Sequence, residues 1–316
     1  MRLVRVRSVD VLVKCDHERQ LRCGVSGNKV RKFAGLQRKL AEQEHGVKSL
    51  VSFGGVQSNA MLALASIAAD ANVAFEYYTR TLYDEPAGNL ALALEHGMKL
   101  YELGKEAYAD TFNSASAVAT FCNSLERSDL FIFQGGACKL AEPGCLELAQ
   151  EIHADVLAAQ LDPANVDVAV CSGTGTLAFF LAQGLAAIGS AIRVLVIPVV
   201  GDESTTRAQW QELCTRESIS PRDMNVHILV DRKRPFAKPR RALYGIWLEL
   251  REHWGLPVDL VYGARAFEIL FNVDGRFQQM PASTSDAPRQ LVYYHCGGME
   301  GDVTQLERYK SMGLDQ

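Results

Sequence analysis

An α/β fold with mostly parallel sheets is what the sequence predicts, and three observations predict it. Short β-branched or aromatic runs recur along the 316 residues, helix-spaced apolar patterns separate many of them, and glycine follows several of the runs directly. Strands alternating with helices are the pattern of crossover units, which parallel neighbours require.

In chain order, Met1-Arg2-Leu3-Val4-Arg5-Val6-Arg7 alternates as a strand does. Phe33, Leu36 and Leu40 share a helical face, and Met61, Leu62, Ala65 and Ile67 lie in an alanine-rich helical stretch. Strand-like runs fall at Ser49 to Phe53, Val73 to Tyr78, Met98 to Leu103, Leu130 to Phe133, Val166 to Cys171, Ile192 to Val199, Val226 to Val230 and Leu291 to His295. The stretch from Pro281 to Pro288 reads as a surface loop before the last of these.

Composition narrows the class. An apolar fraction of 48% with 22% charged residues fits an ordinary soluble globular chain, long enough for two domains or one large α/β unit. The formal charge is -4 with bases and acids interspersed, so no broad footprint for nucleic acid is present. The densest basic stretch, Arg232 to Arg241, includes Pro235 and Pro239 and reads as a solvated connection. No long apolar run suggests a membrane span or a secretory signal. The eight cysteines are dispersed without metal-knuckle spacing, which points to free thiols in a reducing cytoplasm and to no metal site.

Glycines mark one rim. Gly54-Gly55, Gly135-Gly136, Gly173, Gly201 and Gly297-Gly298 each follow a strand-like run. In open α/β sheets those carboxyl ends line the ligand crevice. Val170-Cys171-Ser172-Gly173-Thr174-Gly175-Thr176 reads as buried strand, small-residue turn and helix start, a shape that offers N–H groups to a phosphate. A tight turn with a threonine cap explains the same residues. Gln57, Ser58 and Asn59 stand before an apolar helix, where one supplies an N-cap and three suit a small polar ligand such as a carboxylate. Lys29, between the Ser26-Gly27-Asn28 turn and a helix, is placed as a reactive amine, with Arg31 and Lys32 nearby to depress its pKa. The alternative is a solvated basic patch. Taken together, an amine, a substrate rim and a phosphate seat are the parts that pyridoxal phosphate needs.

In Ser26-Gly27-Asn28-Lys29-Val30-Arg31-Lys32, Gly54-Gly55-Val56-Gln57-Ser58-Asn59, Gly173-Thr174-Gly175-Thr176-Leu177-Ala178, Asp259-Leu260-Val261-Tyr262 and His295-Cys296-Gly297-Gly298, the chain resembles the fold-type II (tryptophan synthase β-like) pyridoxal-phosphate enzymes. Within them it is most similar to the 1-aminocyclopropane-1-carboxylate deaminase and D-cysteine desulfhydrase family. The resemblance implies a homodimer whose subunit has two open, twisted, mostly parallel sheets flanked by helices. A large cofactor domain would comprise residues 1–32 and 150–316, and a small domain residues 33–149.

The same resemblance implies site roles. Lys29 would bind the cofactor covalently and serve as preferred base, with Ser58 and Tyr262 as further catalytic residues. Asn59, Cys296 and the Gly173, Thr174, Gly175, Thr176 turn would hold the cofactor, while Gln57, Ser58, Asn59, Tyr262 and Phe236 would meet a small amino-acid substrate. The chain departs from the family's pattern in five places. Gly263 stands where the deaminases carry an acid facing the pyridine nitrogen, Cys296 where desulfhydrases commonly have threonine, and Phe236 near where a second tyrosine is frequent. Gln134-Gly135-Gly136-Ala137-Cys138 lacks the usual serine-asparagine pair, and the stretch before Val11 looks short. The implied activity is D-cysteine desulfhydrase-like β-elimination to pyruvate, ammonia and sulfide. The alternatives are 1-aminocyclopropane-1-carboxylate deamination to 2-oxobutyrate and ammonia, and a relative that binds the cofactor or an amino acid without turnover.

Overall fold

Buried runs of valine, leucine and isoleucine become strands here, and apolar stripes become the helices that cover them. The computed structural model describes residues 1–7, 9–43, 46–82, 85–229, 234–271 and 289–315. The predicted loop at 281–288, Val230, and Arg232 and Lys233 of the basic stretch lie outside the described residues.

A hairpin of β1 (Arg2–Val6) and β2 (Val9–Lys14) leads into α1 (Asn28–Ala41). Then follow β3 (Ser49–Phe53), α2 (Asn59–Asp70), β4 (Ala74–Thr79), α3 (Asn89–Glu95), β5 (Lys99–Glu102), α4 (Lys105–Phe112), α5 (Ala115–Asn123) and β6 (Asp129–Ile132). The chain continues through α6 (Glu142–Ala158), β7 (Val166–Ser172), α7 (Thr176–Ala187), β8 (Arg193–Pro198), α8 (Glu203–Glu217), β9 (Val226–Ile228), α9 (Arg241–Leu248) and α10 (Gly263–Leu270). It closes with β10 (Gln290–Tyr294) and α11 (Asp302–Ser311).

Two sheets result. One has the order β1-β2-β10-β7-β8-β9 and the other β5-β4-β3-β6. Every pairing is parallel except β1 with β2. The α/β architecture with mostly parallel sheets is therefore as the sequence predicts.

The second hairpin strand, β2, was not among the predicted strands. Its alternation buries Val11 and Val13 completely and pairs Val11 with Val4 on one side and with Leu291 on the other. At the other end of the chain order, His295 falls just past β10 but still donates its N–H to the Lys14 carbonyl.

All of β7 is buried, and α7 is buried from Thr176 through Leu185, as a helix that is apolar all round must be. Val168, Val170, Leu195, Phe179 and Leu181 belong to the core around the larger sheet. Leu50, Met61, Leu62, Phe75 and Phe33 belong to a second core around the smaller one. Each such side chain contributes roughly 1.5–3 kcal/mol on leaving water. The carboxyl ends of β3, β7 and β10 run directly into the glycine turns at 54–55, 173–175 and 297–298.

Candidate active site

The entry to α1 is shaped by the segment after β10. Asn28 donates its N–H to the Cys296 carbonyl at 2.9 Å. Gly27 has φ 64°, and a Cβ placed on it would come within 2.0 Å of that carbonyl oxygen, so no side chain fits. Lys29 consequently leaves the first turn of α1 with Nζ donating to Asn28 Oδ1 at 2.8 Å. Its side chain keeps some contact with solvent, yet enough protein surrounds the amine for burial to pull the pKa below the usual lysine range. Cys296, Glu300 and Asp259 act against that pull.

Neither of the two neighbours expected to depress the Lys29 pKa does so; burial alone lowers it, and it is the Lys29 charge that lowers Lys32. Arg31 commits its guanidinium to Asp16, at 2.7 and 3.0 Å, and to Glu151, at 2.8 and 2.6 Å. Lys32 is 5% exposed and makes no hydrogen bond or ion pair among the described residues. Burial first, and the Lys29 charge second, bring its pKa down to about 7. Its Cε lies beside Gly136, whose neighbour Gly135 packs against Thr174. The glycine pair thus bridges the lysine side of the site and the turn after β7.

That turn is held by α8. Trp210 Nε1 donates to the Gly175 carbonyl at 3.0 Å and Gln209 Nε2 to the Gly173 carbonyl at 3.3 Å. In a trans peptide the carbonyl and the following N–H point opposite ways, so the N–H groups of Thr174 and Thr176 face away from α8. The N–H groups of Gly173 through Leu177 donate to no acceptor among the described residues. They stand at the start of α7, where the helix dipole favours an anion. Thr174 and Thr176 hydroxyls lie 3.0 Å apart, and Ser172 Oγ and Gln209 Oε1 are buried without a hydrogen-bond partner among the described residues. Five unused N–H groups, two hydroxyls, an unpaired ammonium across a glycine pair and orphaned polar atoms fit the phosphate end of pyridoxal phosphate. Lys29 fits its aldehyde.

The loop after β3 is a network rather than three free side chains. Ser58 caps α2, its Oγ accepting from Ala60 N at 3.2 Å and Met61 N at 3.4 Å. Gln57 is exposed, donates through Nε2 to the Ala87 carbonyl and accepts at Oε1 from Asn89 N. Asn59 accepts at Oδ1 from Asn89 Nδ2 at 2.6 Å, and its Nδ2 lies 3.5 Å from the Gly298 carbonyl. Asn89 is 2% exposed and also reaches the Gln57 carbonyl. No local pattern marks it; only the fold brings it to this loop.

Tyr262 abuts the turn after β7, with its ring 3.2 Å from where a Cβ on Gly173 would sit. Burial pushes its phenol above the usual range, and Asp259 adds to the rise. Phe236, 47% exposed, has its ring 5.5 Å from that of Tyr262. Asp259 accepts the N–H groups of Val261, Tyr262 and Gly263 at 3.0, 2.6 and 2.9 Å. A Cβ on Gly263 would fall 2.5 Å from Val258 Cβ, so this backbone leaves no room for the acid that the deaminases carry there. Cys296 is buried beside Cys171, whose thiol its own raises well above the ordinary range. Asn89, Gln209, Trp210 and Glu300 are the site residues that the sequence reading did not name. Lys32 was named there only as a charge beside Lys29, one helical turn away.

No protein-family profile matches the chain, and no curated protein matches it by sequence. Solved structures match it by shape. An ACC deaminase homologue superposes with a TM-score of 0.73 at 20% identity, covering 98% of this chain and 92% of that one. A fungal L-serine ammonia-lyase from Rhizomucor miehei gives 0.62 at 14% identity, covering 96% and 93%. A hydrogen sulfide-producing enzyme from Fusobacterium nucleatum gives 0.57 at 14% identity, covering 93% and 92%. With its two sheets, its glycine turns at the strand ends and these likenesses over nearly the whole chain, the protein has the fold of the fold-type II pyridoxal-phosphate enzymes.

Proposed function

We propose that the protein is a pyridoxal-phosphate-dependent lyase acting on a small amino acid, with D-cysteine desulfhydrase-like β-elimination as its reaction. The observation that carries this reading is the pairing of one enclosed amine, Lys29, with unused N–H groups at the start of α7 and the unpaired Lys32 ammonium. The bound cofactor supplies an electron sink for the charge left when the substrate loses its α-proton. D-cysteine and water would then yield pyruvate, ammonia and hydrogen sulfide.

Lys29, its pKa lowered by burial, is the preferred base for the substrate's α-proton. Ser58 Oγ already accepts two N–H bonds, which leaves its hydroxyl hydrogen to donate to a substrate carboxylate and makes it the weaker base. Tyr262, held protonated by burial, donates rather than abstracts. Asn59 fixes the loop against Gly298, and Phe236 shields the Tyr262 side from water. We assign the cofactor end of the fold to residues 1–32 and 150–316 and the covering part to residues 33–149.

The second reading is 1-aminocyclopropane-1-carboxylate deamination, favoured by the likeness to the ACC deaminase homologue. The crowding at Gly263 counts against it, because it leaves the buried Cys296 thiol, a weak donor, as the partner for the pyridine nitrogen. Product analysis decides: purified protein with added pyridoxal phosphate should release pyruvate and sulfide from D-cysteine. Formation of 2-oxobutyrate from the cyclopropane amino acid alone would support the second reading. A cofactor spectrum that responds to amino acids without product would mark a binding protein.

A further inference from the structure

We propose that Glu300 is a positioning residue for Lys29, its carboxylate gripping Ser26 through two hydrogen bonds so that the Ser26-Gly27-Asn28 turn is locked against the glycine segment after β10. Ser26 donates its N–H to Glu300 Oε1 at 3.0 Å and its hydroxyl to Oε2 at 3.2 Å. Ser26 is 3% exposed, and its Oγ also accepts the Gly298 N–H at 3.3 Å. One buried hydroxyl therefore joins the residue three before the reactive lysine to a carboxylate and to the turn after Cys296.

The remaining contacts make this joint stiff. Asn28 N–H is bound to the Cys296 carbonyl, Gly27 has no room for a Cβ against it, and a Cβ on Gly297 would meet Ser26 Oγ at 2.3 Å. Asn28 then takes the Lys29 amine at its side-chain oxygen. The direction in which Nζ leaves the helix follows from a turn whose outer edge ends on Glu300.

The same carboxylate carries charge toward the amine. The groups facing Lys29 are Cys296, Glu300 and Asp259, with the Lys32 ammonium on its own helix. Asp259 is engaged by three N–H groups of its own turn, whereas half-buried Glu300 is engaged by Ser26, in the turn that carries Lys29. Glu300 therefore couples the geometry of the amine to its proton affinity.

The test is Glu300→Gln, with Glu300→Asp as the conservative control, read in two ways. Cofactor-free protein is labelled with trace acetic anhydride across pH, and modification of Lys29 is followed by mass spectrometry; this readout does not rest on the proposed function. Glu300→Gln should move the Lys29 midpoint down by about one pH unit, while Glu300→Asp, which keeps the charge, should restore most of it. In protein loaded with pyridoxal phosphate, where the inference does rest on that reading, the pH titration of the lysine-bound chromophore should shift in the same direction. An unchanged Lys29 midpoint in folded Glu300→Gln overturns the inference. A shifted midpoint in Glu300→Gln, with a wild-type protein that forms no chromophore, leaves the inference standing and defeats the proposed function instead.

Discussion

Lys29 and Lys32 stand one helical turn apart on α1, and each is depressed by burial, with the charge of Lys29 adding to the depression of Lys32. Two amines driven from water in the same place, without a carboxylate bound to either, are costly in an empty site and useful in one that receives an anion.

The cost of Lys32 is measurable. Its native pKa is brought down to about 7 from the ordinary lysine value of 10.5, so between those values the unfolded chain holds a proton that the native state lacks. Stability of the cofactor-free protein should rise with pH through that window and flatten below it. Lys32→Met should raise the melting temperature at pH 7 and remove the Lys32 part of this rise, with Lys29, also depressed by burial, keeping its own. The same variant should bind pyridoxal phosphate about 10- to 100-fold more weakly, from the loss of a charge-assisted hydrogen bond worth roughly 1.5–3 kcal/mol. Thermal unfolding and equilibrium titration with the cofactor check both halves.

Tyr262 is held in its protonated form by burial and by Asp259. Tyr262→Phe should lower kcat by about 100-fold, the scale of one positioned proton donor, while leaving the limbs of the pH profile between pH 6 and 9 where they are. A basic limb that vanishes in the variant would mean that the phenol titrates in this range after all.

Sequence periodicity carried β3, β7 and β8 most clearly because they are buried on both faces, with β7 and β8 rich in Val, Leu and Ile. It did not single out β2, whose Val9, Val11 and Val13 follow Arg7 and Ser8 with no glycine or asparagine to announce a hairpin. Lys29 and the turn at Gly173 to Thr176 were legible because each lies at an element end with a local pattern of its own, whereas Tyr262 was named only through the family resemblance. Asn89 and Glu300 were not legible, since Asn89 reaches Asn59 from across α3 and Glu300 reaches Ser26 from the far end of the chain. Gln57 was legible as a polar residue of the rim, but its fastening to Ala87 and Asn89 depends on that same tertiary approach.

His295 ties the site to acid stability. Its Nδ1 accepts the Gly297 N–H at 3.2 Å, its Nε2 lies 2.6 Å from the Pro257 carbonyl, and His17 stacks on it at 3.9 Å. Burial and the neighbouring His17 bring its pKa to about 4. As pH falls from about 6.5 toward 4, the unfolded chain gains a proton that native His295 refuses, so this group removes stability over that interval. Asp302, raised to about 7 by burial and by Asp259, works in the opposite sense, because the native state there holds the extra proton. The comparison is therefore wild type against His295→Gln in urea at a series of pH values. The acid-side loss attributable to His295 should shrink in the variant, with His17, also depressed by burial, keeping part of it.

Replacement of Lys29 by alanine tests the enclosed amine most directly. Wild-type protein mixed with pyridoxal phosphate should show a lysine-bound chromophore, and borohydride reduction should leave the cofactor mass on the peptide containing Lys29. Lys29→Ala should lose both, together with sulfide release from D-cysteine, while keeping its fold. A chromophore, a reduced adduct and turnover that all survive in Lys29→Ala would contradict the assignment of this amine as the centre of the site.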